Sequence, residues 1–195
     1  MWMENWKELM GILSVLLFCG SYIPYFYSIW RGITKPHPYS WTAWGLLLGL
    51  IYFIQVSEKG GPGAWGIAAV ALLQLAVAAV GWWRRADIEI MSLDVVAFTG
   101  AGVAMLLWLG ADNPLAAVIL IAAIDVLGYV PTFRKTLVAP YSENLLAYAI
   151  GAAAMLASLF GLTTLNATTV TEPIAFLIMQ MLFVTVIAAR RRKLI

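Results

Sequence analysis

The chain has 195 residues, 63% of them hydrophobic and only 11% charged, with a mean hydropathy of +0.88. That leaves too few polar side chains to cover a water-soluble domain of this size, so an integral membrane protein is expected. The net charge is only +2, and the single cysteine, Cys19, excludes an internal disulfide.

The apolar runs are continuous rather than alternating, which predicts helices and not a barrel. With one cysteine and one histidine the chain lacks a zinc set, and no cofactor is expected. The first residues carry Glu4, Lys7 and Glu8 in place of a basic stretch, so no cleavable signal peptide is expected.

Seven apolar segments follow in order, near 9–30, 40–57, 64–83, 91–110, 114–133, 144–162 and 172–189. At ~1.5 Å per residue each is about the length needed for a ~30 Å hydrocarbon core. The second is the most diluted, by Trp41, Thr42, Tyr52 and Gln55. Short connections rich in Gly, Pro, Asn and Asp join them, leaving no room for a soluble domain. Seven crossings divide the 12 basic residues unequally. Lys7 and Lys59 fall on one side. The other side takes Arg31, Lys35, Arg84, Arg85, Arg134, Lys135, Arg190, Arg191, Arg192 and Lys193. The positive-inside rule then puts the N-terminus outside and the C-terminus in the cytoplasm. Most tryptophans fit two interfacial belts; Trp44 lies a full turn inside its helix.

The sequence also matches itself. Tyr22-Ile23-Pro24 answers Tyr129-Val130-Pro131 at an offset of 107, and Pro38-Tyr39-Ser40 answers Pro140-Tyr141-Ser142 at 102. Gln74 precedes Arg84 by ten residues, as Gln180 precedes Arg190, at an offset of 106. The predicted fold is therefore all-α, with two parallel three-helix repeats (9–85 and 114–191) joined by a linker helix (91–110). Parallel repeats place substrate at their interface near the midplane.

On these residues the chain resembles the SWEET and SemiSWEET sugar transporters and the wider PQ-loop superfamily. The resemblance rests on Tyr22 to Tyr25 through Lys35 to Ser40, and on the copy from Tyr129 to Ser142. The family's glutamine after each proline is absent: Tyr25 and Thr132 stand there. The resemblance implies an alternating-access transporter with hinges at Pro24 and Pro131; the expected location is a prokaryotic plasma (inner) membrane.

Several residues could carry the chemistry. Gln74 and Gln180 fall mid-membrane on corresponding helices, and a primary amide can both donate to and accept from a hydroxyl or carboxamide. In SWEET-like transporters a paired Asn occupies the equivalent helices. Trp44 could add a stacking face. Asp125 lies in the middle of an apolar run, where an ionisable residue costs at least ~2.5–3.5 kcal/mol on insertion scales and is usually functional. Its partner at offset 107 is Phe18, so the site is symmetric in amide and asymmetric in charge. The pattern Asp125-x-x-Gly128 is similar to that of lysosomal PQ-loop exporters such as cystinosin, which implies proton coupling through Asp125. Ser40, Ser142 and Asn144 are read as cytoplasmic gate or helix cap. Gln55 and Tyr52 lie toward the outer mouth. His37 reads as a solvated loop residue, and Asp94 as an interfacial partner of Arg84 and Arg85.

Helix seven has no lysine between Thr171 and Ala189, which excludes a retinal protein. No nucleophile–base pair, metal cluster or phosphate loop suggests an enzyme. The expected partners are a small-molecule solute, sugar-like as a first reading, and the lipid bilayer. A homodimer is compatible with the sequence, and no nucleic-acid partner is expected. Two alternatives share the plan. One is a vitamin or nucleoside transporter, for which Trp41-x-x-Trp44 would suit a flat ring; the other is a non-transporting receptor or sensor.

Overall fold

The computed structural model describes residues 2–32, 36, 38–84, 92–138, 140–141 and 144–192. Lys35, His37, Arg85, Ser142, Glu143 and Lys193 lie outside the described residues, as do the side chains of Asp94, Pro131, Thr132 and Lys135. The described residues form seven α-helices and no strand: α1 (Trp2–Trp30), α2 (Pro38–Ser57), α3 (Ala64–Trp83), α4 (Ser92–Met105), α5 (Pro114–Val138), α6 (Leu145–Gly161) and α7 (Ala167–Arg192). A wider, π-type turn, Leu106–Gly110, ends α4.

Four helical stretches are long and apolar enough to cross a membrane: Asn5–Trp30, Pro38–Ser57, Gly61–Trp83 and Ala167–Arg192. Val95–Gly110, Pro114–Val130 and Leu145–Gly161 are shorter apolar helices. Their outward faces are apolar too; Leu16, Leu72, Leu109 and Leu146 are all exposed. Water penalises such a surface and hydrocarbon does not, which accords with a bilayer as solvent.

Neighbouring helices follow a recurring pattern. Helix α3 packs on both α1 and α2, and α7 packs on both α5 and α6. Across the middle α1 lies along α6, while α2 meets α5 more sparingly and α4 packs on both α2 and α5. Two arginines tie corresponding ends. Arg84 of α3 donates to the Ile29 carbonyl at the end of α1 (2.6 Å). Arg190 of α7 donates to the Leu137 carbonyl at the end of α5 (2.7 Å).

Three helix limits differ from the sequence expectation, each for a local reason. Helix α1 begins at Trp2 instead of near residue 9. Its polar first turns still form helix, and Lys7 Nζ donates to the Leu162 carbonyl (2.8 Å). Helix α5 runs through position 131 to Val138, since one proline removes one hydrogen bond but need not end a helix. Helix α7 begins at Ala167. The Asn166 side chain accepts from Thr169 N (2.9 Å), and Asn166 N donates to Thr169 Oγ1 (3.1 Å), a reciprocal cap that starts the helix early. Pro173 therefore lies inside α7 and denies the Thr169 carbonyl its usual donor four residues on. The buried Gln55 of α2 supplies a replacement, its Nε2 donating to Thr169 O (2.9 Å).

That bond belongs to a dense seal at the end of the bundle formed by the α2–α3 and α6–α7 connections. Ser158 Oγ donates to Gly63 O (2.6 Å), and Thr163 N to Gly60 O (2.9 Å). Thr163 and Thr164 hydroxyls both donate to Lys59 O. Asn166 Nδ2 donates to the Glu58 carboxylate (3.0 Å). The backbones meet because Gly63 has no side chain: a Cβ there would lie 2.5 Å from Leu162 N and 2.6 Å from Ser158 O. Gly61 turns the chain at φ +67°, a conformation that side chains disfavour.

Candidate functional site

The two central amides come from the two helices that each sit between a pair of neighbours. Gln74 lies midway along α3 and Gln180 midway along α7, and both are buried. They open onto a cavity of about 640 Å³ bounded by α1, α2, α3, α6 and α7. An adjoining recess of about 160 Å³ extends it to α5 at Asp125, Gly128 and Tyr129. Both spaces share Gln74, Gln180 and Trp44. The structure thus brings Trp44, Gln74, Asp125 and Gln180 to one place from four different helices.

The cavity runs from these side chains toward the end opposite the glycine seal, where Pro24, Ser28 and Asn144 line it. Asn144 is exposed and caps α6, its Oδ1 accepting from Leu146 N (3.0 Å) and Ala147 N (3.2 Å). Pro24 is inside α1 and exposed on the cavity side. Its missing N–H leaves the Gly20 carbonyl without a helical donor, which weakens the helix one turn below the site. Ser40 sits half-buried in the first turn of α2 and is not among the residues lining the cavity. The Pro131 side chain and Ser142 are outside the described residues.

Close packing fixes the lining. A Cβ on Gly128 would stand 3.5 Å from the Trp44 indole nitrogen, so α5 presents bare backbone to that ring. A Cβ on Gly151 would come within 3.0 Å of Gln180 Nε2, tighter than ordinary contact. Trp41 meets Tyr22, Tyr25 and Trp44 with ring centroids 6.2, 5.0 and 5.7 Å apart. Tyr148 packs edge-on to Phe183 at 4.4 Å. Edge-to-face geometry suits the ring quadrupoles and holds the faces that line the cavity. The Gln74 amide and the Tyr22 side chain are hydrogen-bonded. Gln74 Oε1 and Gln180 Oε1 are buried without a donor among the described residues.

Sequence reasoning missed Glu172. It is 1% exposed, neither carboxyl oxygen has a hydrogen-bond partner among the described residues, and it interacts electrostatically with Asp125. The expected connection ran through Thr171, which left Glu172 at the mouth of its helix. The earlier start at Ala167 carries it inside. The signal was present in Asn166-x-x-Thr169, a capping spacing ahead of an apolar run. The offset of 106 pairs Glu172 with Gly66, as 107 pairs Asp125 with Phe18. Phe18 indeed packs against Gly66, where a Cβ would meet Phe18 Cε2 at 3.3 Å. Helices α1 and α3 thus meet through a phenyl ring and a glycine, where the offset-matched positions of α5 and α7 carry two carboxyls.

Among the described residues no group of three or more His, Cys, Asp or Glu could hold a metal ion. Comparison with protein-family models, with curated proteins and with solved structures finds no match.

Proposed function

We propose that the protein is a membrane carrier for a small polar organic solute, working by alternating access. The solute binds between the triplets α1–α3 and α5–α7, with α4 as linker. One observation carries this reading: a cavity of about 640 Å³ reaches the mid-membrane amides from one end, while interlocked connections close the other. Its volume falls within the range of ~300–1,000 Å³ usual for small-molecule sites. The repeated helix adjacency and the matching Arg84 and Arg190 bonds support two equivalent triplets that can rock against each other. They also support the SWEET-like and PQ-loop plan to which the sequence points, with the sealed end outside.

In this cycle Gln74 and Gln180 hold the solute, Trp44 forms a wall and Pro24 lets α1 bend. Asp125 carries the proton that couples the cycle to a gradient. A carboxyl in a recess continuous with the solute cavity can exchange a proton when the cavity opens and lose that access when it closes.

The test is a solute screen on the purified full chain in proteoliposomes, with and without an imposed pH gradient. Labelled sugars, nucleosides and amines would be offered in turn. Saturable uptake of one class, accelerated by the gradient, is the expected result. Binding without uptake of any class would favour a receptor instead.

A further inference from the structure

The charge and hydrogen-bonding character of the cavity select a class of ligand. Asp125 lines the recess and Glu172 lies within its electrostatic reach. Among the described residues, no Lys, Arg or His lines either space. The buried amide atoms left unpartnered there, Gln74 Oε1 and Gln180 Oε1, are both acceptors. Tyr22, Tyr25, Trp41 and Trp44 form a connected aromatic wall around them. Aromatic faces attract cations through their quadrupoles, and ionised carboxylates accept hydrogen bonds but donate none. A sugar brings as many acceptors as donors and no charge; an anion would face the Asp125 carboxyl, with Glu172 behind it.

We propose that the site binds a small organic ammonium ion. Its N–H groups face Asp125, Gln74 and Gln180, and its apolar part lies against Trp41 and Trp44. Glu172 lies behind Asp125 as a second carboxyl. This rests on the cavity being a solute site, but not on its being part of a carrier.

A second consequence follows for protons. The titratable groups facing Asp125 are Tyr22 on α1, Tyr129 on its own helix and Glu172 on α7; Tyr148 on α6 faces Tyr129. Among the described side chains, α2, α3 and α4 present no charged group to it. A proton and the ammonium ion therefore compete for the same carboxyls. Binding releases a proton, and the carrier exchanges one for the other.

Isothermal titration of the full chain in detergent tests this with n-butylammonium, glucose and butyrate as probes. Butylammonium should bind, weaken as pH is lowered and release protons into weakly buffered solution. Glucose and butyrate should bind at least about tenfold more weakly, the loss of a charge-assisted hydrogen bond being worth that much. Asp125→Asn should weaken butylammonium binding by roughly ten- to hundredfold, and Glu172→Gln should weaken it too, as a second variant should the first fail to fold. Glucose binding as well as butylammonium, or butylammonium binding that is indifferent to pH and to both substitutions, would overturn the proposal. Butylammonium binding without flux in proteoliposomes would keep the ammonium site and remove the carrier.

Discussion

Proteoliposomes carrying Asp125→Asn are expected to lose acceleration of uptake by a pH gradient, with gradient-driven flux falling at least about tenfold. Asparagine keeps the size of the aspartate side chain, so the recess with Gly128 and Tyr129 should keep its shape. It cannot take up or release a proton. Glu172 remains, but it is not among the described residues that line the cavity. The thermal unfolding midpoint of the variant in detergent should equal or exceed that of the parent. Replacing a buried carboxyl by a neutral group removes the cost of holding charge out of water. Unchanged gradient-driven flux in a folded variant would end the coupling role of Asp125.

A comparably large effect is expected from locking the glycine seal. The Lys59 carbonyl accepts from the Thr163 and Thr164 hydroxyls, so the α2–α3 and α6–α7 connections meet at residues 59 and 164. Both positions have polar, accessible surroundings at the end of the bundle, and the bonds use main-chain oxygen that a Lys59→Cys change retains. Joining Lys59→Cys to Thr164→Cys with a short bifunctional thiol reagent, in a Cys19→Ser background, should abolish flux. Reductive cleavage of the tether should restore it. Ligand binding from the opposite end should persist, because Gln74, Gln180 and Trp44 are untouched. If the two triplets need not separate here, the tether will leave flux as it was.

Much of this arrangement was legible in the sequence because it depends on long-range regularities. Pairing Gln74 with Gln180 needs only their repeated distance from Arg84 and Arg190, and both amides do face one cavity. Asp125 stood out because an apolar run rarely tolerates a carboxylate. What escaped depends on local detail that overrides hydropathy. An apolar window cannot see that Asn166 and Thr169 cap each other, so hydropathy starts α7 near residue 172 and puts Glu172 at the helix mouth. Nor does hydropathy reveal that Pro173 lies inside α7 and leaves the Thr169 carbonyl to Gln55. The glycine seal escaped for a different reason. Gly63 matters through Ser158 and Leu162, about a hundred residues away, and nothing in its own neighbourhood announces that contact. The aromatic wall is half visible in the sequence: Trp41-x-x-Trp44 marks part of it, but Tyr22, Tyr25 and Tyr148 join only when three helices meet.

Alternating access can be measured without knowing the solute. Ser21 lines the cavity and is half-buried, with its hydroxyl bonded only to its own helix at Phe18 O. In a Cys19→Ser background, Ser21→Cys can be treated with a membrane-impermeant thiol reagent in right-side-out and in inside-out vesicles. The expected result is labelling from both sides, with the side bearing the glycine seal becoming unreactive once residues 59 and 164 are tethered. Labelling from one side alone, unaffected by the tether, would contradict a carrier and leave a cavity with a single door.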